Sequence, residues 1–183
     1  FRVFVIFGTG DAAALDFEGN LIWAKNLGVP ENHYGHSSSL ITWRNLLLVQ
    51  YDQNTGGRLI ALDSKSGDLI YDRRREIDIS WASPILVNTG TRDEIILNSS
   101  PAVVSHDPAT GRELYRVDCM SGEVAPSLAY ADGMVFAVNA NAKLAAIPLD
   151  GTPKVLWESK DDLSEVSSPL ATKDFVFVAT SYG

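Results

Sequence analysis

The sequence holds one cysteine, Cys119, in 183 residues. That excludes an internal disulfide and a cysteine-rich zinc site, and no c-type haem attachment motif is present. Positive charge is also scarce: 15 Lys and Arg stand against 23 Asp and Glu, a formal net charge of -8. A surface of that sign repels phosphate, so no nucleic-acid partner is expected. No uninterrupted apolar run approaches the roughly 20 residues that cross a bilayer as a helix, and no transmembrane segment is expected. Gly-x-Ser-x-Gly elbows and phosphate-cradling glycine loops are missing, which argues against hydrolase and nucleotide chemistry. What remains, 45% hydrophobic and 21% charged residues, is the make-up of a globular chain rather than a disordered, collagen-like or coiled-coil one.

What is present is repetition. A turn followed by an aromatic recurs in Asp16-Phe-Glu-Gly19-Asn-Leu-Ile-Trp23, Asp63-Ser-Lys-Ser-Gly67-Asp-Leu-Ile-Tyr71, Asp107-Pro-Ala-Thr-Gly111-Arg-Glu-Leu-Tyr115 and, more loosely, Asp150-Gly151-Thr-Pro-Lys-Val-Leu-Trp157, with the aromatics 48, 44 and 42 residues apart. A serine opens an apolar stretch at Ser39, Ser83, Ser127 and Ser168, spaced 44, 44 and 41. Apolar runs rich in β-branched residues follow, such as Leu46-Leu-Leu-Val49 and Met134-Val-Phe-Ala-Val138. Each unit divides into four short segments bounded by Gly, Asp, Asn, Ser or Pro, with no helical periodicity, which predicts four strands per repeat. In the second unit these are Leu40-Trp43, Leu46-Tyr51, Leu59-Asp63 and Asp68-Asp72. The fold class expected is all-β, a propeller of four-stranded antiparallel blades.

The spelling of the third turn has a physical reason: Asp accepts turn amides, and Gly67 or Gly111 supplies a residue of positive φ. The aromatic four positions later is expected to cover the seam between blades, so Trp23, Tyr71, Tyr115 and Trp157 are read as structural. The basic run Arg73-Arg74-Arg75 is read as a solvated strand end.

Ala61-Leu-Asp63-Ser-Lys-Ser-Gly67-Asp-Leu-Ile-Tyr71 resembles the tryptophan-docking motif of quinoprotein propellers. Ser105 to Tyr115 fits with Ser for Ala and Tyr for Trp; the copy ending at Trp23 is one residue short, and the fourth has Pro148 in the Asp slot. On these residues the chain resembles the pyrroloquinoline-quinone-like repeat superfamily, which implies a seven- or eight-bladed ring. A ring of that size needs roughly 350 residues at about 44 per blade, so the expectation is a partial propeller of about four blades. Its blades are placed at about 1–27 (incomplete), 36–73, 80–117, 124–160 and 165–183 (incomplete). Open blade edges would be covered by the remaining blades of the same chain, by a protein partner or by self-association.

Residues just before each repeated serine are expected at one mouth of the central channel, which makes His36, Trp81, Glu123 and Glu165 the candidate site. Acidic groups beside a Trp face suit a cation or a flat ligand such as a quinone. His33 and His106 lack partners at metal-ligand spacing and are expected to be surface or packed histidines. The repeated serines are expected to pack blades, since a unique nucleophile would not recur. With no catalytic set in view, the preferred reading is a non-catalytic scaffold or binding module that presents channel mouth and loops to a protein or small ligand. The resemblance places such modules in exported bacterial proteins, in the periplasm or at the cell surface. The alternative is a segment of a pyrroloquinoline quinone-dependent alcohol or aldose dehydrogenase, which would require the quinone and Ca²⁺. The alcohol-oxidising members stack the quinone on an adjacent-cysteine disulfide, and Cys119 has no neighbour to form one.

Overall fold

Short turns let each strand fold back on its predecessor, so one sheet is finished before the next begins. The computed structural model describes residues 1–180; the last three residues of the segment expected at 165–183 lie outside them. The first sheet is β1 (Val3–Ile6), β2 (Asp11–Leu15) and β3 (Leu21–Asn26). The second is β4 (Ile41–Trp43), β5 (Leu46–Tyr51), β6 (Gly57–Asp63) and β7 (Leu69–Arg75), and the third is β8 (Ile85–Asn88), β9 (Asp93–Asn98), β10 (Ala102–His106) and β11 (Glu113–Asp118). The fourth comprises β12 (Ala129–Ala131), β13 (Met134–Val138), β14 (Leu144–Pro148) and β15 (Trp157–Ser159), and β16 (Leu170–Ala171) pairs with β17 (Val176–Phe177). Among the described residues every pairing between these strands is antiparallel and follows chain order. Among the described residues there is no helix, and so none long and apolar enough to cross a membrane.

The sheets stack face to face, because successive side chains of a strand point to opposite faces. In β5, Leu47 and Val49 join Ala12, Ala14 and Trp23 of the first sheet, whereas Leu46 and Leu48 join Ile95 and Leu97 of the third. In β9, Ile96 turns the other way and meets Val135 and Ile147 of the fourth. A smaller core of Ala129, Phe136 and Ala146 takes Ala171 and Val176 of the last hairpin. The central strands are therefore apolar at consecutive positions, with all six residues of β5 buried. At one edge the sheets converge: β4 lies against β8, and β12 against β16. These first strands are the inner ones, and the arrangement is a partial β-propeller of about four blades.

Two devices lock blade to blade. In the turn after β6, Asp63 Oδ1 accepts the amides of Lys65 (2.8 Å) and Ser66 (3.0 Å), and Gly67 closes it at φ 76°. Those bonds hold the Asp63 carboxyl below its ordinary pKa. The Trp23 ring of the preceding blade lies on this turn, so close that a Cβ on Gly67 would meet it at 2.7 Å, and its indole N–H donates to Ser64 O at 3.2 Å. One blade on, Asp107 Oδ1 accepts Ala109 N at 2.7 Å, Gly111 sits under the Tyr71 ring, and the Tyr71 hydroxyl donates to Pro108 O at 3.0 Å. The second device is a serine ladder: Ser83, Ser127 and Ser168 Oγ accept the main-chain N–H of Ser39, Ser83 and Ser127 at 2.9, 2.8 and 2.9 Å. A repeated hydroxyl spaced by one blade thus ties each inner strand to the next.

Two expectations need correction, and a third is met in another way. Tyr115 covers the seam between the third and fourth sheets as expected, although it docks on no glycine turn. Its intended platform is the fourth copy, where Pro148 replaces Asp and the turn is longer; nothing lies within 4 Å of a Cβ at Gly151. Trp157 remains 43% exposed and leans on Phe136 of its own blade, with ring centroids 6.0 Å apart. The basic run is not a solvated strand end: β7 continues to Arg75, which is buried against Asp52, and only Arg73 and Arg74 face solvent. β6 starts correspondingly early, with Gly57 opposite Arg75.

Gly67→Ala therefore has to move an indole ring and hold alanine at positive φ, and is expected to destabilise the protein by roughly 1–3 kcal/mol. Gly8→Ala, which enters open space at ordinary φ, is expected to stay within about 0.5 kcal/mol of the parent. Urea denaturation of the two variants measures the difference.

Candidate functional site

At one end of the inner strands, the loops that precede them converge. The segments before β8 and β12 pair directly, through a parallel bridge between Ser80 and Val124 and the Trp81 N–H donated to Val124 O at 2.9 Å. The loops before β4, β8, β12 and β16 and the turn after β13 enclose a cleft of about 500 Å³. Trp81, Glu123 and Glu165 line it, together with Tyr34, Asn141 and Val166.

Trp81 is fixed on three sides. Its indole N–H donates to Asn32 Oδ1 at 3.0 Å, its carbonyl accepts Ser37 Oγ at 3.3 Å, and its main-chain N–H is held as above. Tyr34 and His33 close on it, with ring centroids 5.3 and 5.4 Å from the indole. His33 Nε2 lies 3.3 Å from Glu123 Oε1. Amides hold the loop before β12: Asn139, which lines the cleft, donates Nδ2 to Glu123 O, and the buried Asn98 donates Nδ2 to Pro126 O at 2.9 Å.

Beneath Trp81 lies a buried polar network. Arg75 pairs with Asp52, each side chain 1% exposed, and its other nitrogen donates to Ser99 Oγ at 3.0 Å. Ser80 Oγ and Gln50 Nε2 donate to Asp52 Oδ2 at 2.6 and 2.7 Å. Gln50 also reaches Asn98 O at 3.1 Å. A carboxylate this deeply buried survives because it meets a cation and further donors at once. Since Ser80 precedes Trp81, this network sets where the indole stands.

The sequence-derived candidates divide. Trp81, Glu123 and Glu165 share the cleft. His36 does not line it; its ring packs against Tyr51 at 5.1 Å, and burial lowers its pKa. One residue's difference explains this, because alternation turns His36 inward where Ser37 faces the cleft. His33 and Tyr34 were missed as members. They lie in a Pro- and Gly-bounded loop that carries no repeat landmark, and only a search for aromatics near the mouth would have found them. His106 is a packed histidine, 3% exposed, with Nδ1 3.1 Å from Gly111 O; burial, with the Arg75 charge, holds its pKa down to about 4. Cys119 is buried and its thiol is pushed up to about 11 by burial, so it is a poor nucleophile.

Among the described residues no three His, Cys, Asp or Glu side chains gather where a metal could be held. The cleft has two glutamates and no Lys or Arg in its lining, so it would repel a quinone that carries carboxylates.

Radial four-stranded blades, joined aromatic onto turn, define a quinoprotein-type β-propeller of the pyrroloquinoline-quinone-like repeat superfamily. The family model for outer membrane protein assembly factor BamB matches residues 80–183, more than half of the chain, and the protein belongs to that family. No curated protein sequence matches it significantly. Among solved structures, BamB from Moraxella catarrhalis is similar at a TM-score of 0.71 and 20% identity, covering 96% of this chain and 54% of that one. The chain thus spans about half the length of that relative. Quinohemoprotein alcohol dehydrogenase from Comamonas testosteroni is similar at 0.68 and 14% identity, over 91% of this chain and 35% of that one. The C-terminal domain of PilY1 from Pseudomonas aeruginosa gives 0.58 and 17% identity, over 81% and 38%.

Removing one half of the buried pair leaves the other charge stranded, so Asp52→Ala is expected to cost about 3–5 kcal/mol, read as a lowered urea midpoint. His106 supplies a pH dependence. Its folded pKa, about 4, lies below the usual 6.5, so between those values the unfolded chain binds the extra proton and stability falls as pH falls. Across that window the loss approaches about 3 kcal/mol. His106→Gln is expected to flatten the slope of unfolding free energy against pH from 6.5 to 4, measured by urea titration at each pH.

Proposed function

We propose that this protein is a non-catalytic propeller that binds a protein partner across the channel mouth and its adjoining loops. The observation that carries the reading is the state of the mouth. It is a preformed cleft whose rim leaves Tyr34 74% and Val166 67% exposed, and apolar surface held open to water beside a rigid indole is what an interface offers. The chemistry nearby is that of a surface rather than an active site. Ser37 Oγ donates to a carbonyl and not to an imidazole, and the one thiol is buried and protonated.

The family carries this one step further. Its description as an outer membrane protein assembly factor supports a partner in the assembly of outer-membrane proteins, and an exported, periplasmic location. Residues 1–183 are read as part of a larger ring, with blades at 1–27, 36–73, 80–117, 124–160 and 165–183. The remaining blade surfaces are covered by further blades or a partner. Likeness to the alcohol dehydrogenases is one of fold, and the acidic lining disfavours their cofactor.

A photo-crosslinking residue at Asn141, on the mouth, is expected to yield a discrete protein adduct in cells. The same residue at Asp132, in the turn between β12 and β13 at the opposite end of the blade, is expected to yield none. Equal labelling from both faces, or tight binding of pyrroloquinoline quinone with Ca²⁺ by the purified chain, would overturn the reading.

A further inference from the structure

We infer that the mouth cleft receives one basic side chain, an arginine or lysine, projecting from the protein partner. The inference deepens the reading of the mouth as a protein-binding site and rests on it.

Three aromatic rings stand together there: His33 and Tyr34 are 4.3 Å apart by ring centroids, and both close on Trp81. Because Asn32 fixes the indole N–H and Val124 fixes the main chain, the indole is held before any ligand arrives. The face of an aromatic ring carries negative potential and attracts a cation placed over it, most strongly for Trp. The same cleft is lined by Glu123 and Glu165. Among the described residues Glu165 has no ion pair, and Glu123 meets only His33. Both carboxylates are therefore available to a cation from outside, and no Lys or Arg of this chain lines the cleft to compete.

The shape selects a side chain. A cleft of about 500 Å³ is at the small end of ligand sites, and its exposed rim residues, Tyr34 and Val166, suit the methylene stem that accompanies a guanidinium or ammonium group. The formal charge of -8 draws a basic partner toward the surface. A sheet of phosphates would meet the same charge as a barrier, which excludes an anionic lipid face as the occupant.

The test uses the purified chain, labelled with ¹⁵N, and follows the Trp81 indole N–H resonance. The pentapeptide Gly-Gly-Arg-Gly-Gly, blocked at both ends, is expected to shift that resonance saturably. Its citrulline counterpart, isosteric but uncharged, is expected to bind about tenfold more weakly. The Glu123→Gln, Glu165→Gln double variant is expected to lose a similar factor for the arginine peptide while its urea midpoint stays at the parent value. Trp81→Leu should lose binding as well. Equal affinity for the arginine and citrulline peptides, or an unaltered affinity in the double variant, overturns the inference. So does a shift produced by tetramethylammonium but not by the peptide, which would assign the cup to a small free cation. The two levels separate cleanly: if the Asn141 crosslink to a protein persists undiminished in the double glutamine variant, the partner-binding mouth stands and the basic side chain falls. Absence of any crosslink in the parent removes both.

Discussion

The second and third blades each depend on a ring from the blade before them lying on a glycine. Trp23 covers Gly67 and Tyr71 covers Gly111 so closely that a methyl group at either glycine would overlap the ring. The glycine is required twice over, once because the turn needs positive φ and once because the ring needs its space. The same contact is polar at its edge, where indole and phenol donate to turn carbonyls. Because every sheet presents apolar residues on both faces, no blade can satisfy its surface alone, and the docking contact sets the angle at which neighbours meet. The serine ladder does at the inner edge what the aromatics do farther out. With both edges pinned, the loops at the mouth have little freedom in where they stand.

That constraint explains how much could be read from residues alone. The docking motif and the serine spacing are local and repeated, so chain order gives strand number, pairing and blade order, and the central strands announce themselves by unbroken apolar runs. The reading failed where a copy departs from its template. Gly151 keeps the glycine of the motif, but Pro148 removes the aspartate that would shape its turn, and so Tyr115 settles elsewhere. It also failed at Arg75. A triplet of arginines reads as solvated because its partner, Asp52, lies 23 residues away and nothing in the spacing links the two. Buried ion pairs are tertiary facts, fixed by two turns that meet only after folding.

The site shows the same division. Trp81, Glu123 and Glu165 could be placed together because each stands two to four positions before a repeated serine, and the blades carry those loop ends to one cleft. His36 has a similar offset yet faces Tyr51, since a shift of one position in an extended segment reverses the side chain. His33 and Tyr34 belong to a loop outside the repeat, and only the geometry of the inter-blade loops brings them onto the indole. Repetition builds the frame of the mouth, and the residues that break repetition furnish it.

This division bears on how such a mouth acquires a partner. Residues in the docking contacts and the ladder cannot change without loosening two blades at once. Some residues of the loops before the inner strands are less constrained; Glu165 and Val166 are exposed. Charge and aromatic character at the mouth can therefore vary while the blades remain the same. The acidic, aromatic lining seen here is then set by the loops and not by the fold.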